Sequence, residues 1–186
     1  MDVGDETQYT DYQLRDTEIR IDKSCIYSHA TAAFNYTTYD VRREQDTDNV
    51  NSQRCDIMLR SHETNDNDNR GIHPYWYARI VGIYHCNVYY KDSRTKQRLE
   101  FLFVRWFGQV EDWLGGPSSL RLNKIGFVPD GDETGAFGFL DPAQVLRACH
   151  IVPVYADGRT SELLDARSTY RDDSYEGDWA TYYVNR

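Results

Sequence analysis

Clustered cysteine is the first thing this 186-residue chain lacks. Cys25, Cys55, Cys86 and Cys149 stand singly, with no C-x-x-C pair, so neither a redox dithiol nor a zinc cluster is written into the spacing. The neighbours His85–Cys86 and Cys149–His150 would send their side chains to opposite sides of a strand, which again argues against shared ligation. No apolar run is long enough to span a bilayer, and the first residues do not resemble a secretory leader. Isolated cysteines without such signals predict a reduced, intracellular protein. Phosphate-cradling glycines are missing too, because "GAFGF" (135–139) has neither a strand before it nor a helix after it.

Positive charge is also short. There are 21 Lys and Arg against 30 Asp and Glu, a net charge of −9, and residues 1–70 alone account for −7. Such a chain repels phosphate backbones unless a local patch overrides the mean. The one dense basic run, "KDSRTKQR" (Lys91–Arg98), lies between two strand-like segments and reads as a solvated hairpin loop. Catalytic constellations are absent as well. His73 and His150 are the histidines to test for proton transfer, yet both read as structural, and Cys149 beside His150 cannot form a nucleophile pair within a strand. The carboxylate pairs Glu111–Asp112, Asp132–Glu133 and Asp172–Asp173 fall in polar loops. "DNDNRG" supplies Asp66, Asp68 and Gly71 without the closing Glu of a calcium loop. The expectation is a protein that is no enzyme and carries no metal or cofactor.

What is abundant is aromatic: 14% Phe, Trp and Tyr, with 15 Tyr. Aromatics suit the pleated surface of strands. Residues 1–16 are acidic and aperiodic and predict a flexible start. From Thr17, "TEIRIDKSCIYSHATAAFNYTTYDV" alternates as two strands or one bent strand, "REQDTDNVNSQ" reads as an exposed loop, and "RCDIMLRS" as a short strand. "HETNDNDNRG" is a turn. "HPYWYARIVGIYHCNVYY" predicts a long strand with Trp76, Ala78, Ile80, Gly82, Tyr84, Cys86 and Val88 on one side and Tyr77, Arg79, Val81 and Ile83 on the other. "RLEFLFVRWFG" is apolar on both faces, so the two should pair as a central hairpin. "LRLNKIGFV" is a further strand and "PDGDETGAFGF" is turn-rich. Asp141 as cap with Pro142 behind it predicts a helical turn to about Ala148, then a strand His150–Tyr155. After a polar loop, "WATYYVN" is a last strand. The chain stops on an apolar segment, which predicts a fragment boundary.

In this order "WYARIVGIY", "FLFVRWFG", "FGFLDPAQVLRACHIVPVY" and "DWATYYVNR" resemble the bromo-adjacent homology (BAH) module over about Trp76–Arg186. Val184 and Asn185 stand where that pattern has Cys-Arg, and Ala148 where it has lysine. From about Ile19 onward the chain also resembles a segment of uncharacterised basidiomycete fungal proteins, some associated with Kyakuja, Dileera and Zisupton transposases. These resemblances imply a mainly-β, BAH-like twisted barrel with one short helical turn and extra N-terminal strands from 17 to 60. Residues 17–186 would form one domain with its core in 73–186.

By the same resemblance the function is a non-enzymatic, chromatin- or transposon-associated interaction module, hence nuclear. It would bind a peptide or protein, such as a histone tail, at an aromatic rim. Trp106 matches the BAH tryptophan that lines a methyl-lysine cage in some members, where ring faces attract a poorly hydrated ammonium. Trp113 and Tyr84 could wall it, and Glu111 and Asp112 could supply a carboxylate; simple packing of the tryptophans is the plainer alternative. A second reading is a nucleic-acid accessory role for Lys91, Arg94, Lys96, Arg98, Arg121 and Lys124. Arg79 and Arg105, mid-strand among apolar residues, must find ion-pair partners, with Glu100 or Asp141 as candidates.

Overall fold

The computed structural model describes residues 19–37, 42–50, 55–61, 74–91, 93–110, 112–113, 115–116, 119–130, 135–163 and 177–185. The expected flexible start, the Asx-rich turn, His73 and Glu111 lie outside them. The chain is mainly β, and among the described residues helical structure is confined to short 3-10 turns such as Pro142–Gln144 and Tyr155–Asp157. Its strands are β1 Ile19–His29, β2 Thr31–Thr37, β3 Arg43–Asn49, β4 Asp56–Arg60, β5 Tyr75–Tyr90, β6 Gln97–Gln109, β7 Asn123–Phe127, β8 Phe137–Leu140, β9 Val145–Ala148, β10 His150–Pro153, β11 Arg159–Thr160, β12 Asp178–Trp179 and β13 Tyr182–Asn185.

Two compact units divide the chain: Met1–Tyr27 with His85–Glu100, and Ser28–Tyr84 with Phe101–Arg186. In the second, the main ladder runs β10-β13-β7-β6-β5-β4-β9, and β8 pairs with β6. The expected hairpin of β5 and β6 is there at its centre. β7 takes the end of β6 from Phe107 to Gln109, and β8 takes the stretch before it, Leu102–Arg105. The ladder is an open path and not the closed barrel that the resemblance implies. Its two ends, β9 and β10, nevertheless follow one another in the chain about Cys149, whose N–H donates to the Asp56 carbonyl at 2.8 Å.

Alternation along the strands divides the core of this unit in two. Ile57, Leu59, Ala78, Ile80, Leu102 and Val104 pack together on one side. Met58, Tyr77, Phe107, Ile125, Phe127, Tyr182 and Val184 pack on the other. Leu102 and Val104 are essentially dry, and each fully buried aliphatic side chain of this kind contributes roughly 1.5–3 kcal/mol. The count slips by one residue at Val81–Gly82, so that Ile83 joins the cluster of Ile80. Tyr84 is thereby turned to the face opposite the one its spacing predicts. Glycine at position 82 is what accommodates the slip, because a Cβ there would lie 2.3 Å from the Tyr84 ring.

Three further local expectations fail for identifiable reasons. The segment read as an exposed loop contains β3, which pairs with β2 from Thr31↔Asn49 to Thr37↔Arg43. Its rungs are polar: the Tyr36 hydroxyl donates to Glu44 at 2.9 Å and the Gln45 amide to Asn35 at 2.9 Å, which an apolar count cannot register. The turn-rich segment contains β8. The helical turn stops at Gln144 because Val145–Ala148 is drawn into pairing with β4, although Asp141 does cap it through Ala143 N–H at 2.8 Å.

In the first unit β1 pairs with β5. Tyr27 stacks on His85 with ring centroids 4.8 Å apart, and Lys96 bonds Asp22 at 2.6 Å. Cys25 is exposed, while Cys55 and Cys86 are buried.

Candidate functional site: an aromatic strip beside an edge strand

Both mid-strand arginines find carboxylates, though not the expected ones. Arg79 grips Asp56 with two bonds, Nε to Oδ1 at 2.7 Å and Nη2 to Oδ2 at 3.1 Å. Arg105 bonds Asp178 at 2.7 Å with both side chains buried. The Phe127 ring lies between the two cations, 5.1 Å from Arg79 Cζ and 3.8 Å from Arg105 Cζ. Burial opposes both charges of the first pair and pushes the Asp56 carboxyl up, while the Asp56 bonds hold the Arg79 guanidinium above its usual value. The forked geometry keeps the pair ionised. Glu100 is instead taken by Arg98 at 2.7 Å. Asp56, Arg105 and Asp178 are buried, and the two pairs tie strands of the core together.

The expected rim residues keep different company. Trp106 is half-buried, meets Trp76 edge-on at 6.2 Å and lies against Gly138. Trp113 donates its indole N–H to the Leu122 carbonyl at 2.9 Å and tilts against Tyr183 at 5.8 Å. Its ring already has Arg121 Cζ at 5.4 Å and Lys124 Nζ at 5.2 Å. With Leu122 and Tyr183 it lines a depression of about 440 Å³. A methylated ammonium placed there would join two cations of the protein's own, which is electrostatically unfavourable. Asp112 is exposed beside it.

Tyr84 leads to a surface that the spacing did not single out. Its ring stacks on Phe101 at 5.6 Å, Phe101 meets Phe139 at 5.7 Å, and Phe139 meets Phe103 at 5.2 Å. Phe103 stacks in turn on Phe137 at 5.7 Å. Five rings from β5, β6 and β8 thus form a continuous strip on the face opposite Leu102 and Val104. Phe139, at 71% exposure, is its most open member. Because Trp106 N–H donates to the Ala136 carbonyl, antiparallel alternation places Phe139, opposite Phe103, at a non-hydrogen-bonded position. Its own N–H and C=O therefore point away from β6. Among the described residues β8 has β6 as its single ladder partner. Phe101 and Phe103 belong to the segment read as a central strand, whereas Phe137 and Phe139 lie in the one read as turn-rich; the signal was present in "FGF", where a glycine under Trp106 separates two phenylalanines of one face.

No family model, curated protein or solved structure matches this chain. The resemblances to BAH modules and to fungal transposon-associated segments rest on the motifs alone.

The basic residues of the second reading are largely engaged. Lys96 is held by Asp22, Arg98 by Glu100 and Lys124 by Asp157 at 2.6 Å, and Arg121 lies over Trp113. Cys149 is held well above the ordinary thiol range by burial and by the charges of Asp56 and Asp48, so it is a poor nucleophile. Among the described residues no three His, Cys, Asp or Glu side chains gather as metal ligands, and no helix is long and apolar enough to cross a membrane.

Proposed function

We propose that this chain is a non-enzymatic protein-interaction module whose partner contributes an extended segment, laid along β8 with an apolar side chain on the Phe139 strip. The exposure of Phe139 within a five-ring strip, at a strand edge whose backbone groups there face outward, is the observation that carries this reading. Main-chain bonds to an edge strand supply affinity, and pockets for alternate side chains supply selectivity. Contiguous exposed aromatic surface has the same implication. The BAH-like identity of the sheet, the chromatin- or transposon-associated setting and the nuclear location belong to this proposal and are supported by the motifs alone. The methyl-lysine version belongs to it only at Trp106, since the Trp113 ring is already occupied by cations.

Selection from a library of random 12-residue peptides tests the reading. We expect a selected peptide to bind wild type at micromolar concentration and at least tenfold more weakly to Phe139→Ser, with the Phe139 amide shifting in NMR. Histone-tail peptides with and without lysine methylation form the second arm. Methylation-dependent binding lost in Trp106→Ala and kept in Phe139→Ser would replace the strip with the cage. Absence of peptide binding in both arms would overturn the proposal.

A further inference from the structure

The strand that carries Phe139 has a polar feature on its other face. Phe139 and Gly138 are neighbours on β8, so a side chain at 138 would stand on the face opposite the aromatic strip. On that face, which is the one of Leu102 and Val104, Trp106 packs against the core. Its ring reaches from β6 to β8 and puts Nε1 2.7 Å from where a Gly138 Cβ would be. Trp106 is half-buried, and its indole N–H has no acceptor among the described residues. Trp113 differs, since its indole N–H donates to the Leu122 carbonyl at 2.9 Å. By the alternation that turns the Phe139 N–H and C=O outward, Gly138 turns its own toward Val104, its partner on β6.

Taking the proposed docking of an extended segment along β8 as its basis, we infer that Trp106 sets the specificity of that segment: next to the apolar residue that meets Phe139 stands a short acceptor side chain, Ser, Thr, Asn or Asp, which receives the indole N–H. In an antiparallel ladder the partner residue facing Phe139 exchanges both backbone bonds with it. Its neighbour, facing Gly138, then occupies the closer, non-hydrogen-bonded kind of pair. Directly opposite Cβ positions lie about 4.5–5.5 Å apart. An oxygen one or two bonds beyond the partner's Cβ therefore comes within hydrogen-bond reach of an Nε1 that stands 2.7 Å from the Gly138 Cβ position. An apolar side chain there would cover the donor and take its water away without replacing it, and an unmet buried donor costs more than a typical bond contributes. The same geometry disfavours a second copy of β8 as the occupant. A two-fold pairing centred on Gly138 would face it with glycine and leave the indole without an acceptor. Phe139 thus supplies contact area on one face and Trp106 supplies selection on the other.

A 12-residue peptide selected against wild type, and bound more weakly by Phe139→Ser, provides the probe. Cross-strand NMR contacts from the Gly138 Hα locate the peptide residue that faces it, and versions with Ser, Asn or Ala at that place are titrated by calorimetry. We expect the Ser and Asn peptides to bind about threefold or more tightly than the Ala peptide, with the Trp106 indole N–H resonance moving downfield only with the first two. Trp106→Phe keeps a ring and removes the donor, so the ratio of Ser to Ala affinity should fall below about 1.5 in a double-mutant cycle. Circular dichroism confirms that this variant is folded, and the indole resonance of wild type reads the same bond without any substitution. Equal affinity for the Ser, Asn and Ala peptides, in a protein that still needs Phe139, would overturn this inference and leave the strip standing. No selected binder, binding indifferent to Phe139→Ser, or NMR contacts away from β8 would overturn both. A dimer of wild type that dissociates in Phe139→Ser would assign the edge to a second copy and overturn the inference as well.

Discussion

Asp48 shows how a single residue couples this fold to pH. It is buried at the end of β3 with its Oδ2 unbonded, and burial, reinforced by the like charges of Asp46 and Asp56, pushes its carboxyl up to about 7. The unfolded chain releases this proton near the ordinary value of 3.8, so between about pH 4 and 7 the unfolded state holds fewer protons. Stability therefore falls as pH rises through that window and levels off above it. Replacing the carboxyl by an amide, Asp48→Asn, removes the slope. At pH 8 the variant should be more stable than wild type by up to about 4 kcal/mol, converging near pH 4. Urea melts at both pH values check this, and a variant of equal or lower stability at pH 8 would refute it. Nothing in "REQDTDN" announces such a role, because an aspartate in a polar run looks solvated until β2 and β9 close over it, with Asp46 accepting from the Ala148 N–H at 3.1 Å.

At the scale of elements, β8 depends on a glycine. A Cβ at Gly138 would sit 2.7 Å from Trp106 Nε1, whereas one at Gly108 would meet only Val128 Cγ2 at 3.7 Å. Gly138→Ala should cost about 1–3 kcal/mol and change tryptophan emission. Gly108→Ala should stay within about 0.5 kcal/mol by the same denaturation assay, and equal effects would show that the indole yields freely. The central strands were legible because β5 and β6 are apolar on both faces over many residues. β3 was hidden because its cross-strand bonds are polar, and β8 because glycine and turn residues surround "FGFL". The same limit applies to the candidate site. Trp113 and Tyr84 were named as walls of the cage that the resemblance implies, but the strip exists only because β8 lies beside β6 and the slip at Gly82 turns Tyr84 toward Phe101. Periodicity reports neither event.

For the molecule as a whole, the deciding fact is where β13 goes. β13 lies between β7 and β10, pairing Tyr182 with Ile125 and Ile151 with Val184. Val184 is 2% exposed within the second core cluster. Val184→Asp would force a carboxylate into that core, and we expect loss of cooperative urea unfolding and of the near-ultraviolet circular dichroism signal. A cooperative transition within about 1 kcal/mol of wild type would contradict the placement. This order also governs assembly at the ribosome. Residues 123–127 and 150–153 emerge well before 182–185, yet they gain their shared neighbour only when Asn185 has left the exit tunnel. Until then two strand borders stay uncovered on the nascent polypeptide, so a chaperone that shields them would raise the yield of native protein and a pause in translation between residues 153 and 182 would lower it.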